Sequence, residues 1–384
     1  MHRQNLSRPS IIYLLIAFSF LLFCWPATFS RAETKIIIAD NGAGKKLIED
    51  TLPAVALAAA GDIDYVELNV MMTSDNQLII FGSLTLDRLS DVAELFPDRS
   101  REDGSYYVID FSLQEIRQLR LKNVPAENEF ALSLAIPTLR ETLSLIRRLE
   151  SILNKEIGII LEIKYPWFYS DADKDISSAS LDSLAEYGYV DSGSKLYIQC
   201  FDPEELQRIH SQLLPRKQMT LPLIQLIGTN DGKETKQKKF EIFSPYSYDW
   251  LYTNSGLKMI SSYAAAISLP GDKIIDDDGD LLLTDYIAAS HKYGLAVFVT
   301  ALDNQSENLP PFADTFFSLL TFYLQNVDMD GFYTDSFVEA KIITDRFDAD
   351  KVKKDELPEF FSSINPPSDS ASFNKEEKKL SELE

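Results

Sequence analysis

The chain has 384 residues, 45% hydrophobic and 25% charged, which is enough for one large α/β barrel or two ordinary domains. Its formal charge of −22 excludes a nucleic-acid partner, since a phosphate backbone needs a basic stripe, and it opposes docking on anionic lipid. At the N-terminus, His2, Arg3 and Arg8 precede an apolar run from Ile11 to Trp25 and then Ser30-Arg31-Ala32, the pattern of an export signal over residues 1–32. The run falls short of the ~20 residues that span a bilayer. It is either cleaved, leaving no stable membrane span, or kept as an anchor; in both cases the protein is expected outside the cytoplasm, in the periplasm or beyond. Cys24 follows the bulky Phe23 and does not fit a lipoprotein signal. Cleavage would leave Cys200 alone, with no internal disulfide, in an apolar stretch that suits a buried hydrophobe better than a nucleophile.

Beyond the signal, β-rich runs alternate with helical patterns. Ile36 to Asp40 leads into a helical stretch from Pro53 to Ala60, and Tyr65 to Val70 and Leu78 to Phe81 follow. Later runs are Ile157 to Ile163, Leu196 to Cys200, Leu221 to Ile227, Ala264 to Leu269, Leu295 to Ala301 and Gly331 to Tyr333. Amphipathic helices at Ile136 to Leu153 and Pro203 to Leu214 lie between them. Repeated strand–helix units over residues 33–345 predict a closed (β/α)8 barrel of the TIM type. Nine candidate runs compete for eight places; Leu78 to Phe81 is free to pair with Tyr65 to Val70 across Ser74-Asp75-Asn76. Residues 85–128 have no barrel period and read as an insertion, and residues 346–384 read as a disordered polar tail.

Polar residues at the carboxyl ends of barrel strands form sites. Asp40-Asn41-Gly42 ends the first run, and alternation puts Glu67 and Asn69 on one side of the second. Glu162 and Lys164 share a face of a third, and Asp330 to Asp335 marks the last. Inward carboxylates with a lysine suit a hard divalent cation and a phosphate; the same residues could equally plug the barrel interior.

These residues resemble the glycerophosphodiester phosphodiesterase family, of the exported, periplasmic, calcium-dependent type. The resemblance runs from Ile36 to Val338 through Glu49-Asp50-Thr51-Leu52-Pro53-Ala54, Asp64-Tyr65-Val66-Glu67-Leu68-Asn69, Phe96-Pro97-Asp98-Arg99 and Leu161-Glu162-Ile163-Lys164-Tyr165-Pro166-Trp167-Phe168. Tyr197-Ile198-Gln199-Cys200-Phe201-Asp202, Tyr248-Asp249-Trp250 and the run to Asp335 continue it. It implies hydrolysis of glycerophosphodiesters to glycerol 3-phosphate and an alcohol, with two histidines moving protons around a cation-held phosphate. The family's His-Arg-Gly is here Asp40-Asn41-Gly42, its His-Asp pair is Gly82-Ser83, and its Glu-x-Asp metal motif is Glu67-Leu68-Asn69. The expected metal set is therefore Glu67, Asn69, Glu162 and Asp40, holding Ca2+ or another divalent cation weakly. Lys164 is the expected phosphate contact, and Trp167, Phe168 and Trp250 the pocket wall. One acid–base side chain is worth about 10²–10⁴-fold. His210 and His291 lie on helical stretches away from strand ends. The expectation is a family member that binds a glycerophosphodiester-like ligand or a protein partner without turnover. The alternatives are a phosphodiesterase with a non-standard acid and base, or different chemistry, such as metal-assisted hydrolysis, driven by Asp40.

Overall fold

The computed structural model describes residues 34–42, 47–122, 134–232, 234–239, 242–303 and 309–356. The expected export signal, the end of the expected insertion and the tail past residue 356 lie outside the described residues. The strands are β1 (Ile36–Ala39), β2 (Tyr65–Met72), β3 (Leu78–Ile80), β4 (Gly158–Ile163), β5 (Leu196–Cys200) and β6 (Leu223–Leu226). They continue with β7 (Lys236–Lys239), β8 (Ile242–Pro245), β9 (Ala266–Pro270), β10 (Ala296–Thr300) and β11 (Gly331–Thr334).

Eight of them form a parallel barrel in the order β1-β11-β10-β9-β6-β5-β4-β2. Pairing of Ile38 with Tyr65 and Ala39 with Val66 closes it. β3 is the surplus run. It pairs antiparallel with the end of β2, Val70 opposite Ile80 and Met72 opposite Leu78, and Asn76 turns the chain with φ 61°. β7 and β8 form a separate hairpin in the connection from β6 to β9, which the sequence pattern did not suggest.

Alternation along each strand divides the side chains into two populations. Ile37, Ala39, Val66, Leu68, Val70, Ile159, Leu161, Ile198 and Phe332 face the helices and join the main core. Ile38, Ile160, Ile224, Ala266, Phe298 and Tyr333 fill the barrel axis, with Tyr65 and Tyr197 packed against them. One step further along each strand the inward residues turn polar: Asp40, Glu67, Glu162, Gln199, Ser268 and Thr300. An apolar plug thus floors a polar layer at the carboxyl ends of the strands.

The described part of the insertion, residues 85–122, folds onto the barrel through buried Leu86, Leu89, Val92, Val108, Phe111, Ile116 and Leu119. The expectation of a disordered tail from residue 346 is corrected over its first turns, because the helix Phe337–Glu356 continues through them. Its Arg, Ala, Lys and Glu residues there favour a helix, and a Lys341–Asp345 pair one helical turn apart supports the turn before. Among the described residues, no helix is long and apolar enough to cross a membrane.

Asp202 caps the helix after β5 by accepting from the Glu204 and Glu205 amides at 3.0 and 3.1 Å. Burial, with help from the Glu205 and Glu204 carboxylates, pushes it up to about 6 against a usual 3.8. A raised carboxyl contributes stability that is complete below pH ~3.8 and lost as pH rises through about 6. Asparagine caps as well as aspartate. Asp202→Asn should therefore melt a few degrees higher than wild type at pH 8, with the gain vanishing near pH 4, as followed by circular dichroism.

Candidate functional site

The mouth of the barrel is built from the turns that end β1 and β2. Asn41 and Gly42 both take left-handed backbone, φ 50° and 76°, conformations that Asn and Gly tolerate best. That turn aims the Asn41 amide at Glu67 Oε2, 3.2 Å away. It also brings Asn41 Oδ1 to Asn69 Nδ2 at 2.6 Å. Asp50, also left-handed at φ 57°, stands just ahead of Thr51, the N-cap of the helix Leu52–Ala60. Its carboxylate accepts from the Asn69 amide at 3.4 Å and from Asn69 Nδ2 at 3.2 Å on each oxygen. Asp50 is 2% exposed, and burial, with the nearby Glu49 charge, pushes its carboxyl up to about 7.

Across the mouth, Glu67 and Glu162 are both buried. The amide of Gln199 donates to Glu67 Oε1 at 2.5 Å and to Glu162 Oε2 at 3.3 Å. Its oxygen accepts from the Tyr333 hydroxyl at 2.5 Å. Lys164 Nζ pairs with Glu162 Oε1 at 2.6 Å. Burial alone would lower this lysine, but the Glu162 carboxylate outweighs it and the net direction is up. Burial holds Glu67 well above the usual carboxylate range, and the adjacent Asp40 carboxyl, hydrogen-bonded to it, adds to the effect.

The expected metal residues Asp40, Glu67, Asn69 and Glu162 thus line one mouth. Glu162 answers to Lys164, Glu67 to Asp40, and Gln199 places an N–H donor between the two glutamates. Asn69 turns its amide nitrogen to Asn41 and Asp50. Among the described residues, no three His, Cys, Asp or Glu side chains are arranged to hold a metal ion. Lys164, the expected phosphate contact, is spent on Glu162.

Gly82 lies over the Asp50–Asn69 pair. A Cβ built there would be 3.0 Å from Asp50 Oδ2 and 3.5 Å from Asn69 Nδ2, so the Asp50 carboxylate fills the space that a larger residue at 82 would use. Neither described histidine reaches the mouth. His210 is exposed on a π-helical turn, Ile209–Leu213. His291 binds Asp330 at 3.0 Å and Asp328 at 3.3 Å, and Asp330 enters β11 at the opposite end of the barrel.

The expected wall residues are held from outside. Phe168 stacks on Tyr107 of the insertion at 5.4 Å. Trp167 packs on Phe243 of β8 at 5.2 Å, takes Lys236 over its face at 4.6 Å and donates to the Glu234 carbonyl. The helix Pro166–Asp171 is thus clasped between insertion and hairpin. Trp250 is 37% exposed, with its indole N–H on the Tyr246 hydroxyl. Sequence reasoning missed Gln199, Tyr333 and the role of Asp50. The signal for Gln199 was present: a polar residue at an inward position of an otherwise apolar strand.

The model of the glycerophosphoryl diester phosphodiesterase family matches residues 41–339. The chain belongs to that family. It is 34% identical to the glycerophosphodiester phosphodiesterase of Treponema pallidum, over 75% of this chain and 86% of that one. It is 38% identical to the Haemophilus influenzae enzyme, over 67% and 76%. An Oleispira antarctica phosphodiesterase solved with its product sn-glycerol-3-phosphate shares the fold at TM-score 0.55 and 16% identity, covering 82% of this chain and 98% of that one. The glycerophosphodiester phosphodiesterase of Agrobacterium tumefaciens does so at 0.51 and 17%, covering 79% and 98%.

Gln199→Leu would keep the volume and leave Glu67, Glu162 and the Tyr333 hydroxyl each short of a partner. Unsatisfied buried groups cost about 1–3 kcal/mol apiece, so urea denaturation should show a loss on the order of 3 kcal/mol. A loss below ~0.5 kcal/mol would mean that Gln199 does not organise the mouth.

Proposed function

We propose that this chain is a family member that binds at its barrel mouth without hydrolysing glycerophosphodiesters, and that it works without a resident divalent cation. The observation that carries the reading is that Lys164, Gln199 and Asn69 each already donate to a carboxyl of the mouth. Lys164 is held by Glu162, Gln199 by both glutamates, and Asn69 by Asp50 and Asn41. The family reaction needs a base to take a proton from the attacking hydroxyl and an acid to protonate the leaving alkoxide. Asp40 stands at one of those positions and is hydrogen-bonded to Glu67. Gly82 stands at the other and offers no proton. Phosphate anchoring is weakened as well, because Asn41 supplies no guanidinium fork. The signal pattern of residues 1–32 supports a location outside the cytoplasm.

One observation favours a second reading, an active hydrolase with a non-standard acid and base. Asp40 and Glu67 lie side by side and hydrogen-bonded, with Glu67 held above the usual carboxylate range, and paired carboxyls can serve as acid and base together. Assay of the purified protein on glycerophosphocholine with calcium separates the two. We expect no glycerol 3-phosphate above background and no calcium binding in a calorimetric titration. Clear turnover that disappears in Asp40→Asn would establish the second reading instead.

The packing over Gly82 yields a sharper expectation. The combined change Asp40→His, Asn41→Arg, Asn69→Asp and Gly82→His should stay at background, because the new imidazole meets Asp50 Oδ2 and a second buried carboxylate is set beside Asp50. Adding Asp50→Gly, which suits φ 57° at that position, should raise activity at least about tenfold over the four-residue variant, as each restored acid–base group is worth more than that. Equal activity of the two variants would show that Asp50 is not the obstacle.

A further inference from the structure

Asn41 is the one asparagine in the chain that is followed by glycine. The two residues form the turn that ends β1, with φ 50° and 76°, and successive left-handed residues suit an Asn-Gly pair best. The turn explains why the pair is there. Its chemistry goes further. An asparagine carboxamide beside the next peptide nitrogen loses ammonia by attack of that nitrogen, and glycine, with no Cβ, shields the nitrogen least.

The mouth favours this attack at Asn41. The residue is half-buried, so water reaches it. Asn69 Nδ2 donates to Asn41 Oδ1 at 2.6 Å. That bond holds the carboxamide and polarises its carbon, and the same donor steadies the oxyanion that forms on addition. The backbone, by contrast, is lightly held. The Asn41 amide meets Glu67 Oε2 at 3.2 Å, and the Asn41 carbonyl accepts from the Asp50 amide at 3.2 Å. Both distances sit at the long limit of N–H···O bonds. The peptide after Asn41 is therefore the part that turns towards a fixed carboxamide. A Cβ at residue 42 would lie 3.2 Å from Ala54 and from the Val55 nitrogen, so only glycine leaves it room to turn.

We propose that Asn41-Gly42 is a site of spontaneous deamidation at the barrel mouth. The Gly42 nitrogen forms a bond to Asn41 Cγ and gives up its proton, and the bond from Cγ to Nδ2 breaks to release ammonia. Water then opens the cyclic imide at either of its carbonyls. One opening leaves aspartate at position 41. The other leaves isoaspartate, in which the main chain runs through the side-chain carbon. Water is the only other reactant. Either product adds a carboxylate next to Asp40, and isoaspartate also lengthens the main chain and draws the amide at position 41 off Glu67. The mouth of an aged molecule thus differs from that of a new one. The site is independent of whether the mouth turns over a phosphodiester.

The test is incubation of the full protein at pH 8 in heavy-oxygen water, followed by digestion and peptide mapping by mass spectrometry. The peptide that carries residue 41 should gain the mass of an amide-to-acid exchange with a heavy oxygen, and electron-transfer fragmentation should show isoaspartate there. Conversion should run at least about tenfold faster than at Asn76 and Asn154, which share the left-handed backbone but precede Gln77 and Lys155. In the folded protein it should stay within about tenfold of the rate in urea. The acidic fraction, recovered by ion exchange, should unfold at a lower urea concentration than fresh protein. No gain at residue 41, a rate no higher than at Asn76 and Asn154, conversion confined to the urea-treated chain, or an acidic fraction as stable as fresh protein would each overturn the proposal.

Discussion

The interior of a closed barrel admits little water, so every carboxyl placed there needs a partner from the chain itself. In this protein that requirement falls on one side chain above all. Gln199 reaches Glu67, Glu162 and Tyr333 at once, tying together β2, β4, β5 and β11 across the barrel axis. With Lys164 on Glu162 and a hydrogen bond between Asp40 and Glu67, the layer draws its partners from within the barrel. Its floor is the apolar plug of Ile38, Ile160, Ile224 and Phe298, which keeps the layer at the mouth.

The residues that depart from the family pattern are not scattered. Asn41 and Asn69 touch one another, and Gly82 overhangs Asn69 and its partner Asp50. The glycine leaves room, the Asp50 carboxylate enters it, and the Asn69 amide supplies the hydrogen bonds that an aspartate at 69 would withhold. Such a set is coupled, so single changes within it disturb their neighbours rather than acting alone. Shared barrel architecture with known phosphodiesterases is therefore compatible with different work at the mouth, because fold and site vary separately.

Around the mouth, the fold supports its walls from outside. The insertion and the β7–β8 hairpin approach the helix Pro166–Asp171 from two sides through Tyr107, Phe243 and Lys236. Aromatic contacts of this kind fix ring positions more firmly than a loop alone. Beyond Phe201, which lies 5.8 Å from Lys164 Nζ and edge-on to Tyr248, a second cavity opens. One aromatic layer thus separates a charged, self-paired cluster from a mixed polar and apolar cleft.

Local pattern alone was enough for the barrel, because parallel strands buried on both faces leave long apolar runs and their crossover helices leave amphipathic ones. The shared face of Glu67 and Asn69 and that of Glu162 and Lys164 followed from strand alternation, and Asp40-Asn41-Gly42 marked the end of the first strand. The ninth run needed tertiary structure, since its three residues pair only through the register with β2. The hairpin of β7 and β8 was hidden because its lysine-rich first strand has little apolar alternation. What only the fold decided is which polar groups answer one another. Gln199 and Glu67 are 132 residues apart in the chain, and Gly82 meets Asp50 only because β2 carries both Asn69 and the chain that follows it past the helix cap. Spacing along the chain sets which face a side chain takes, but partners across a barrel are set by closure and register, which no local pattern contains.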